Sequence, residues 1–415
     1  MNLKEYAVDV VKEAINLMLP EAAVVNALSS FSAVGKIILI AIGKAAWRMS
    51  YAAREVLGDK ISCGVVITKD KHSMGRIGNF EIYECAHPVP DDRVIKATER
   101  VTEAVCGLCA NDTVLFLVSG GGSALFEIPV EGVCLDDIAD ITGQLLASGA
   151  DIAEMNIVRK RLSSVKGGKF AALCAPAKVY SIILSDVLED KLEAIASGPA
   201  YHDISGEEDA LAIVDKYSLS IKPEILKLLK RPGIGKLENV TSVVAGNCSG
   251  LCNAAEEILK KDGYSVLKLT TRLSCEARSA GEVFASIAKE IVAASNPISP
   301  PCAVIMGGET VVHLKGNGKG GRNQEMALSA AIGIEGISNV AFISAGSDGT
   351  DGPTDAAGGV VDGNTVSKLK SLGINPQLAL DNNDSYNALC ATGGLVVTGP
   401  TGTNVNDISI LLVGR

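Results

Sequence analysis

Histidine, aromatic residues and long apolar segments are scarce in this chain of 415 residues. Its four histidines show no metal-ligand spacing, which argues against a histidine-based zinc site, and His87 in AHPVPD is expected to be structural. The most apolar short run, IILIAI at 37–42, is far shorter than the roughly 18 residues that a membrane-spanning helix requires. The N-terminus also lacks the basic start and apolar core of a signal peptide. We therefore expect a soluble, cytoplasmic protein.

Several catalytic signatures are missing as well. No G-x-x-x-x-G-K-[ST] sequence and no protein-kinase signature occurs, which excludes those two types of phosphate site. No G-x-S-x-G sequence occurs, so the nucleophile elbow of acyl-transfer enzymes is absent. A net charge of −10 and a pI near 5.1 argue against a nucleic-acid surface or an anionic membrane surface. Any bound phosphate group is therefore expected in a local basic pocket.

The eleven cysteines are scattered along the chain. Cys106 and Cys109 form one C-x-x-C pair in a segment with the pattern of a helix, and Cys248 and Cys252 are separated by three residues. A zinc or redox site is one interpretation, but no histidines accompany these pairs, so buried reduced thiols are favoured. The cysteines thus indicate a reducing compartment.

Short segments rich in Val, Ile and Leu alternate with helical segments, which is typical of parallel strands buried on both faces. Five strand ends in the first half have counterparts in the same order in the second, for example TVLFLVSGGGSALF and CAVIMGGETVVHL. This order predicts an α/β fold with two Rossmann-like α/β/α domains, related as a duplication, over residues 1–235 and 236–415. Because ligands bind beyond the carboxyl ends of parallel strands, we expect an interdomain cleft lined by the glycine-rich segments.

Two glycine-rich segments at predicted strand ends are candidates for anion binding. LKGNGKGGRNQEMAL leads into a helix whose N-terminus would offer unpaired N–H groups and a positive dipole. SGGGSA adds hydroxyl groups that suit phosphate oxygens. The alternative for either segment is close packing of a helix on a strand. The residues predicted to contact a nucleotide here are Ser119, Gly120, Gly121, Gly122, Ser123, Gly318, Lys319, Gly320 and Gly321.

Carboxylates follow three predicted strands: Asp186 in ILSDV, Glu309 in GGET and Asp348 in SAGSDG. Hard oxygen ligands of this kind suit Mg²⁺, which proteins hold through one or two carboxylates plus substrate phosphates. Asp186 and Asp348 are predicted at equivalent strand ends of the two halves. Asp348 also opens the acidic segment SDGTDGPTD, whose alternative interpretation is a solvated surface turn. Lys44, after the strand in AIGKAA, is either a ligand-facing cation or an ordinary solvated lysine.

Six segments together resemble the glycerate 2-kinase family, which was formerly often labelled hydroxypyruvate reductase. They are SGGGSA, MNIVRKRLSSVKGGKFA, SDVLEDKLEAIASGPA, GGETVVHLKGNGKGGRNQEMAL, SAGSDGTDGPTDAAGG and GPTGTNVNDISILL. The resemblance runs from AIGKAA almost to the C-terminus and implies a C-terminal domain of the MOFRL type. It implies transfer of a phosphoryl group from ATP, with Mg²⁺, to the 2-hydroxyl of D-glycerate in an interdomain cleft.

The resemblance also implies roles for individual residues. The family's lysine falls on Lys44, its SDV aspartate on Asp186 and its GGRNQE arginine on Arg322. Lys44 and Arg322 would stabilise charge on the transferred phosphoryl group. Asp186 would either hold Mg²⁺ or accept the proton of the substrate hydroxyl. Asp348, with the acidic segment, would approach the nucleotide and its metal ion.

Arg159 and Lys160 are candidate partners of the glycerate carboxylate, with a structural ion pair as the alternative. An NAD(P)-dependent hydroxypyruvate reductase stays open as a second function, although the G-x-G-x-x-G match at 316–321 lacks the acidic residue expected about 20 residues later. A binding protein for a small acid, which would close without turnover, is a third. The expected partners are ATP and D-glycerate, without nucleic acid or membrane, and the sequence leaves homo-oligomer formation open.

Overall fold

The computed structural model describes residues 2–187 and 191–414, which form two compact units. The central unit is Pro20–Ala245, and the terminal unit is Met1–Leu19 together with Gly246–Arg415. These units differ from the predicted domains 1–235 and 236–415, because the division falls after residue 245 and the first 19 residues join the C-terminal half. Residues 188–190 of the motif SDVLED lie outside the described residues.

Helix α1 (Leu3–Leu17) explains why the N-terminus belongs to the terminal unit. Apolar residues recur at helical spacing, and the face that includes Val10 and Ala14 is buried. This face packs on helix α11 (Cys248–Lys261). The hydroxyl of Tyr6 donates a hydrogen bond to Asp262 at 2.8 Å, just beyond the end of α11. An amphipathic pattern predicts such a helix but not the surface that covers its apolar face.

The central unit contains a six-stranded sheet. Its strands are β1 (Ile37–Ile42), β2 (Ile61–Lys69), β3 (Glu81–Cys85), β4 (Thr113–Val118), β5 (Lys178–Leu184) and β6 (Val240–Gly246). They lie in the order β3-β2-β1-β4-β5-β6, and all four pairings from β3 to β5 are parallel. Every residue of β1 and β4 is buried, as expected for apolar strands covered on both faces. The order reverses between β1 and β4, where ligands bind in sheets of this kind.

The helices of the central unit pack on the sheet or on one another. They are α2 (Pro20–Leu28), α3 (Ala46–Leu57), α4 (Asp92–Ala104), α5 (Gly122–Leu125), α6 (Leu135–Ala147), α7 (Ile152–Leu162), α8 (Lys169–Cys174), α9 (Glu207–Lys216) and α10 (Pro223–Leu229). Neighbouring strand residues such as Leu39 and Ile40 enter different cores, one on each face. Helices α6, α7, α9 and α10 share a separate core that includes Val158 and Ile213. The α/β prediction is confirmed.

The terminal unit also contains a six-stranded sheet, but with a different topology. Its strands are β7 (Ser265–Leu273), β8 (Cys302–Gly308), β9 (Val340–Gly346), β10 (Gly358–Asp362), β11 (Leu395–Val396) and β12 (Asp407–Val413). They lie in the order β11-β10-β9-β12-β8-β7. Only the β7–β8 pairing is parallel, because β12 lies antiparallel between β8 and β9, and β10 is antiparallel to both β9 and β11.

The predicted duplication is therefore not a repeat of one topology. Strand β5, which precedes Asp186, is parallel to β4, whereas β9, which precedes Asp348, has antiparallel neighbours on both sides. The two aspartates do not occupy equivalent strand ends. The remaining helices of the terminal unit are α12 (Ala277–Ala294), α13 (Arg322–Gly333), α14 (Thr365–Ser371), α15 (Pro376–Asp381) and α16 (Ser385–Thr392).

None of the eleven cysteines, all of which lie in the described part of the chain, forms a disulfide bond. Cys248 and Cys252 are buried on α11, as predicted. Cys106 and Cys109 are exposed and follow the end of α4, so the prediction of buried helical thiols is wrong for this pair. Within residues 2–187 and 191–414, no helix combines the length and the apolar character needed to cross a membrane.

Candidate active site

The carboxyl ends of β1 and β4 form the centre of the candidate site. Gly43 follows β1 with a φ of +110°, and a side chain at this position would collide with Ser119. Lys44 comes next, and its backbone N–H donates a hydrogen bond to the carbonyl of Gly120 at 2.9 Å. The predicted cation therefore follows directly from a turn that only glycine can make, and it lies against the predicted glycine triplet.

The glycines of this triplet allow side chains to approach the loop closely. A Cβ atom at Gly120 would overlap the carboxylate of Asp186. Gly121 has a φ of +85°, and a Cβ atom there would lie 3.0 Å from His87 Nε2 and 3.3 Å from Lys44 Cγ. Lys44 and Asp186, two of the predicted catalytic residues, thus meet at one loop of the central unit.

The serines that flank the triplet have different roles. Ser119 is buried, and its hydroxyl accepts a hydrogen bond from the N–H of Ala45 at 3.0 Å and donates one to the carbonyl of Ile42 at 3.2 Å. These bonds join the ends of β1 and β4 and give Ser119 a structural role, while its nucleotide contact stays a prediction. Ser123 is half-buried, and its hydroxyl oxygen lies 3.1 Å from that of Ser197.

A turn in the left-handed region lies beside the triplet. Ala196, Ser197 and Gly198 have φ values of +51°, +60° and +65°. A Cβ atom on Gly122 would lie 2.7 Å from the Cβ of Ala196, so the turn packs on the triplet. Holding a non-glycine residue in this conformation costs roughly 1–3 kcal/mol, and such strain often accompanies functional sites. Sequence reasoning missed the turn, because alanine and serine carry no signal for positive φ.

The hydroxyl groups near this turn are linked by hydrogen bonds whose donors and acceptors can be assigned. Ser197 donates its proton to Oδ1 of the buried Asn156 at 2.8 Å. Ser123 must therefore be the donor in its 3.1 Å contact with Ser197, because each hydroxyl has one proton. The oxygen of Ser123 keeps lone-pair capacity, so it can accept a hydrogen bond from a hydroxyl group bound at the loop.

Helix α7 ends in three consecutive cations, which diverge because successive helix residues are about 100° apart. Arg159 Nη2 lies 3.4 Å from the carbonyl oxygen of Ser123, and its Nε is buried without a hydrogen-bond partner in residues 2–187 and 191–414. Burial lowers the pKa of Arg159. Lys160 instead forms a buried ion pair with Asp203 at 3.3 Å, which is the structural alternative noted above. The structure thus separates the two predicted substrate residues.

His87 lies at the same loop although the sequence indicated only a structural role. Burial is the main cause of its lowered pKa, and the charge of Lys44 lowers it further, followed by those of Lys69 and His72. The imidazole is therefore neutral near pH 7. Its position beside Gly121 could not be predicted from the spacing of the histidines.

In the terminal unit, Arg322 at the start of α13 is held by two carboxylates. Its Nε and Nη2 donate to Asp407 at 2.5 and 3.1 Å, and its Nη1 lies 3.0 Å from Glu309. The side chain of Asp407 is 8% exposed and that of Glu309 is 45% exposed. Burial raises the pKa of Asp407, which Arg322 opposes. The buried partner fixes the guanidinium, and Asp407 is a site residue that the sequence did not single out.

The glycine-rich segment before α13 is not an open anion cradle. The backbone N–H groups of Gly316 and Gly318 donate to Asn383 Oδ1 and to the carbonyl of Asn382, both at 2.9 Å. The N–H of Lys319 donates to Asp384 at 3.0 Å, and its ammonium lies 4.1 Å from the ring centroid of Tyr386. The close packing noted as the alternative explains these glycines.

Gly320 and Gly321 show the same close packing. Cβ atoms there would collide with Ser385 and Asp351, respectively. The N–H groups of Gly316, Gly318 and Lys319 are therefore already bonded within the unit, whereas the nucleotide contacts of Gly320 and Gly321 stay predictions.

The N-terminus of α13 is occupied by a carboxylate of the chain itself. Asp351 accepts hydrogen bonds from the N–H groups of Asn323 at 3.2 Å and Gln324 at 2.9 Å. Burial raises the pKa of Asp351 to about 7, although both bonds favour the charged form. A carboxyl group of the chain itself therefore occupies the N–H groups at this helix end, where the sequence predicted a bound anion.

The other aspartates of the acidic segment also have local partners. Asp348 accepts from the N–H of Thr350 at 2.9 Å, and Asp355 accepts from the hydroxyl of Tyr386 at 2.7 Å. A Cβ atom on Gly346 would lie 3.3 Å from Asp407 and 3.5 Å from Asp348, so Asp348 lies near the Arg322 cluster. Among the described residues, no group of three or more acidic, histidine or cysteine side chains is placed to hold a metal ion.

Two family models match the chain. A domain of unknown function, DUF4147, matches residues 6–230, and the MOFRL family matches residues 302–407. The D-glycerate 2-kinase of Thermotoga maritima is 54% identical, with 99% of each chain covered. The glycerate 2-kinase of Pyrococcus horikoshii is 40% identical over 100% of this chain and 98% of the relative.

A relative from Agrobacterium vitis, provisionally named hydroxypyruvate reductase, is also 40% identical, over 92% of this chain and all of the relative. Among solved structures, the crystal structure of glycerate kinase from Thermotoga maritima superimposes with a TM-score of 0.97. It shares 54% sequence identity, and 99% of each chain is covered.

Proposed function

The chain belongs to the glycerate 2-kinase family, and we propose that it transfers the γ-phosphoryl group of ATP to the 2-hydroxyl of D-glycerate. The products are 2-phosphoglycerate and ADP. The observation that carries this proposal is the 54% identity to a D-glycerate 2-kinase over 99% of both chains. The meeting of Lys44 and Asp186 at the Gly120–Gly121 loop supports it, because phosphoryl transfer needs positioned charge more than covalent chemistry.

Lys44 and Asp186 act on the reacting groups in this proposal. The ammonium of Lys44 neutralises charge on the transferred phosphoryl group. Asp186 either accepts the proton of the 2-hydroxyl or holds the Mg²⁺ that accompanies ATP. A single carboxylate fits a metal ion that is held mainly by nucleotide phosphates, which is the usual arrangement for Mg²⁺. When bound, the ion would supply neutralisation of phosphate charge.

The acceptor is oriented by Arg159 and Ser123. The guanidinium of Arg159 lies beside the Ser123 carbonyl, and no described residue is a hydrogen-bond partner of its buried Nε, so it can bind the glycerate carboxylate. Ser123 accepts a hydrogen bond from a glycerate hydroxyl, because its own proton is directed to Ser197. Lys160 has no place in this scheme, since Asp203 already neutralises it.

Arg322 neutralises charge on the transferred phosphoryl group from its fixed position beside Asp407. Glu309 is the more exposed of its two partners, so it is the one that a phosphate group would replace. Asp348 is proposed to act on the metal-nucleotide complex.

Formation of ADP that depends on D-glycerate tests the proposed function. We expect ADP release only when D-glycerate, ATP and Mg²⁺ are all present. The reductase alternative predicts oxidation of NADH or NADPH by hydroxypyruvate without ATP. Turnover in the second assay and none in the first would replace the proposal, and binding without turnover in either would indicate a binding protein.

Replacing Ser197 by alanine is expected to raise the KM for D-glycerate by roughly three- to tenfold, the worth of one hydrogen bond, with the KM for ATP nearly unchanged. The reason is that Ser123 loses the acceptor that fixes the direction of its proton. Steady-state kinetics of Ser197→Ala, Ser123→Ala and the double variant measure this. In the Ser123→Ala background, Ser197→Ala should raise the KM for D-glycerate little further. Additive increases in KM would contradict the proposed hydrogen bond from Ser123 to Ser197.

Replacing Asp348 by asparagine is expected to raise the Mg²⁺ concentration needed for half-maximal rate, because an amide is a weaker ligand for a hard cation than a carboxylate. Asp355→Asn is the matched control, since Asp355 is exposed and bonded to Tyr386. Rates at varied Mg²⁺ and fixed MgATP compare the two. An equal Mg²⁺ dependence in wild type and both variants would support the surface-turn interpretation.

A further inference from the structure

A basic cavity in the central unit has no part in the function proposed above. Its volume is about 120 Å³, several times the space that one water molecule needs. Four cations and one carboxylate contribute to its wall, together with Val130, Gly167 and the segment 232–234. The charged residues are Lys160, Arg161, Lys169, Arg231 and Asp203. Such an excess of positive charge contrasts with the net charge of −10 of the whole chain.

The charges in this cavity are only partly compensated. Asp203 neutralises Lys160, and both side chains are 6% exposed. No described carboxylate forms an ion pair with Arg161, Lys169 or Arg231. Burying a cation without an anionic partner is costly, so the cavity favours an anion.

Arg161 is the buried cation of this cavity that most favours an anion. It is 6% exposed, and its two terminal nitrogens donate to the carbonyls of Arg231 at 2.6 Å and Ser205 at 2.5 Å. Its Nε is buried and has no hydrogen-bond partner among the residues that the structure describes. A buried cation that contacts only carbonyl dipoles keeps its full charge available to a bound anion.

Lys169 adds a second donor of the same kind. Its ammonium donates to the carbonyls of Lys160 at 2.7 Å and Ser163 at 2.5 Å, which leaves one of its three protons free. The pKa of Lys169 is lowered to about 8 by burial and then by the charge of Arg161. Asp203 and Glu127 raise this pKa, and Lys166 lowers it. Lys166 and Glu127 form their own buried ion pair, so they offer little net charge.

We propose that this cavity is a binding site for one phosphate-sized oxyanion, separate from the position of the glycerate carboxylate beside Arg159. Arg161, Lys169 and Arg231 supply the charge, and the Lys160–Asp203 pair forms part of the wall. The backbone N–H of Gly167, which lines the cavity, donates to the carbonyl of Ser197 at 3.1 Å. The site is therefore adjacent to the turn at residues 196–198, which holds the hydrogen-bond partner of Ser123.

Calorimetric titration with inorganic phosphate tests the site. We expect Arg231→Gln to weaken phosphate binding roughly threefold, because its side chain is exposed, and Lys169→Met to weaken it roughly tenfold or more. Lys230→Gln is the matched control, since it removes an adjacent exposed charge that does not line the cavity. Absence of binding to wild type, or equal loss in Lys230→Gln and Arg231→Gln, would overturn the proposal.

The pH dependence gives a second readout that does not depend on activity. A bound anion raises the pKa of Lys169, so binding takes up a proton, and the affinity should fall as pH rises through about 8. Titrations at about pH 8 and about pH 9.5 suit this test, because phosphate is the dianion at both. Lys169→Met should abolish the change, provided that circular dichroism shows a folded variant. If the phosphate affinity of a folded Lys169→Met variant fell with pH as it does in wild type, Lys169 would not be the titrating group of this site.

Two further experiments distinguish phosphate binding at this cavity from phosphate binding at the active site. Phosphate should bind Lys44→Ala as tightly as wild type, because Lys44 does not line the cavity. Inhibition by phosphate should not be competitive with D-glycerate. Loss of binding in Lys44→Ala would place the phosphate in the nucleotide site, and competition with D-glycerate would make the cavity the acceptor site. Either result overturns the proposal, and the binding result with Lys44→Ala does so whether or not the chain is a glycerate kinase.

Discussion

Arg322→Ala is expected to lower kcat for D-glycerate phosphorylation by roughly 10³-fold or more, the effect of removing an arginine that stabilises the phosphoryl-transfer transition state. The geometry explains why its position matters, since a bidentate bond to the buried Asp407 fixes the guanidinium before any ligand binds. Steady-state kinetics at saturating ATP and D-glycerate measures the loss. Arg278→Ala is the control, because it removes an arginine of the same unit that pairs with Asp381.

Loss of Arg322 also leaves Asp407 buried without its cation, which can destabilise the unit by roughly 3–5 kcal/mol. The double variant Arg322→Ala with Asp407→Asn removes this charge and separates folding from catalysis. We expect it to unfold at a higher temperature than Arg322→Ala and to be equally inactive. Recovery of near wild-type kcat in the folded double variant would remove Arg322 from the catalytic role.

Lys44→Ala is expected to lower kcat by roughly 10²- to 10³-fold, as for loss of one preorganised charged donor. The turn that positions Lys44 is made by Gly43 and by a backbone bond to Gly120, so the backbone should persist in the variant. Lys60→Ala is the control, since Lys60 is exposed in the same unit. Near wild-type kcat in a folded Lys44→Ala variant would contradict the assignment.

His87 reports on Lys44 independently of activity. Because the charge of Lys44 adds to burial in lowering the pKa of His87, Lys44→Ala should raise that pKa. Titration of the imidazole signals by nuclear magnetic resonance measures the change. An unchanged pKa would mean that the two side chains are farther apart in solution.

The structural features that the sequence predicted correctly are those with a local signal. The run IILIAI followed by glycine and lysine predicted a buried strand with a cation at its carboxyl end, and β1 and Lys44 show this arrangement. Glycine triplets likewise signal close approach, and Asp186 lies against Gly120. Such features depend only on residues that are close in the sequence and on the direction of the strand that precedes them.

The features that were missed depend on distant partners. The sequence of β12 is equally apolar in either direction, so its antiparallel insertion between β8 and β9 carried no signal. The segment before α13 has the composition of a phosphate loop, but Asp351, remote in sequence, occupies the helix end. The helical pattern of α7 could not show that Arg159 and Lys160 reach different surroundings.

Identification of the first phosphorylated product tests the central claim most directly. The chain is incubated with D-glycerate, ATP and Mg²⁺, without any mutase, and the mixture is followed by phosphorus nuclear magnetic resonance. The account predicts that 2-phosphoglycerate appears first and at the rate of ADP formation. Initial appearance of 3-phosphoglycerate, or ADP formation without any phosphoglycerate, would contradict it.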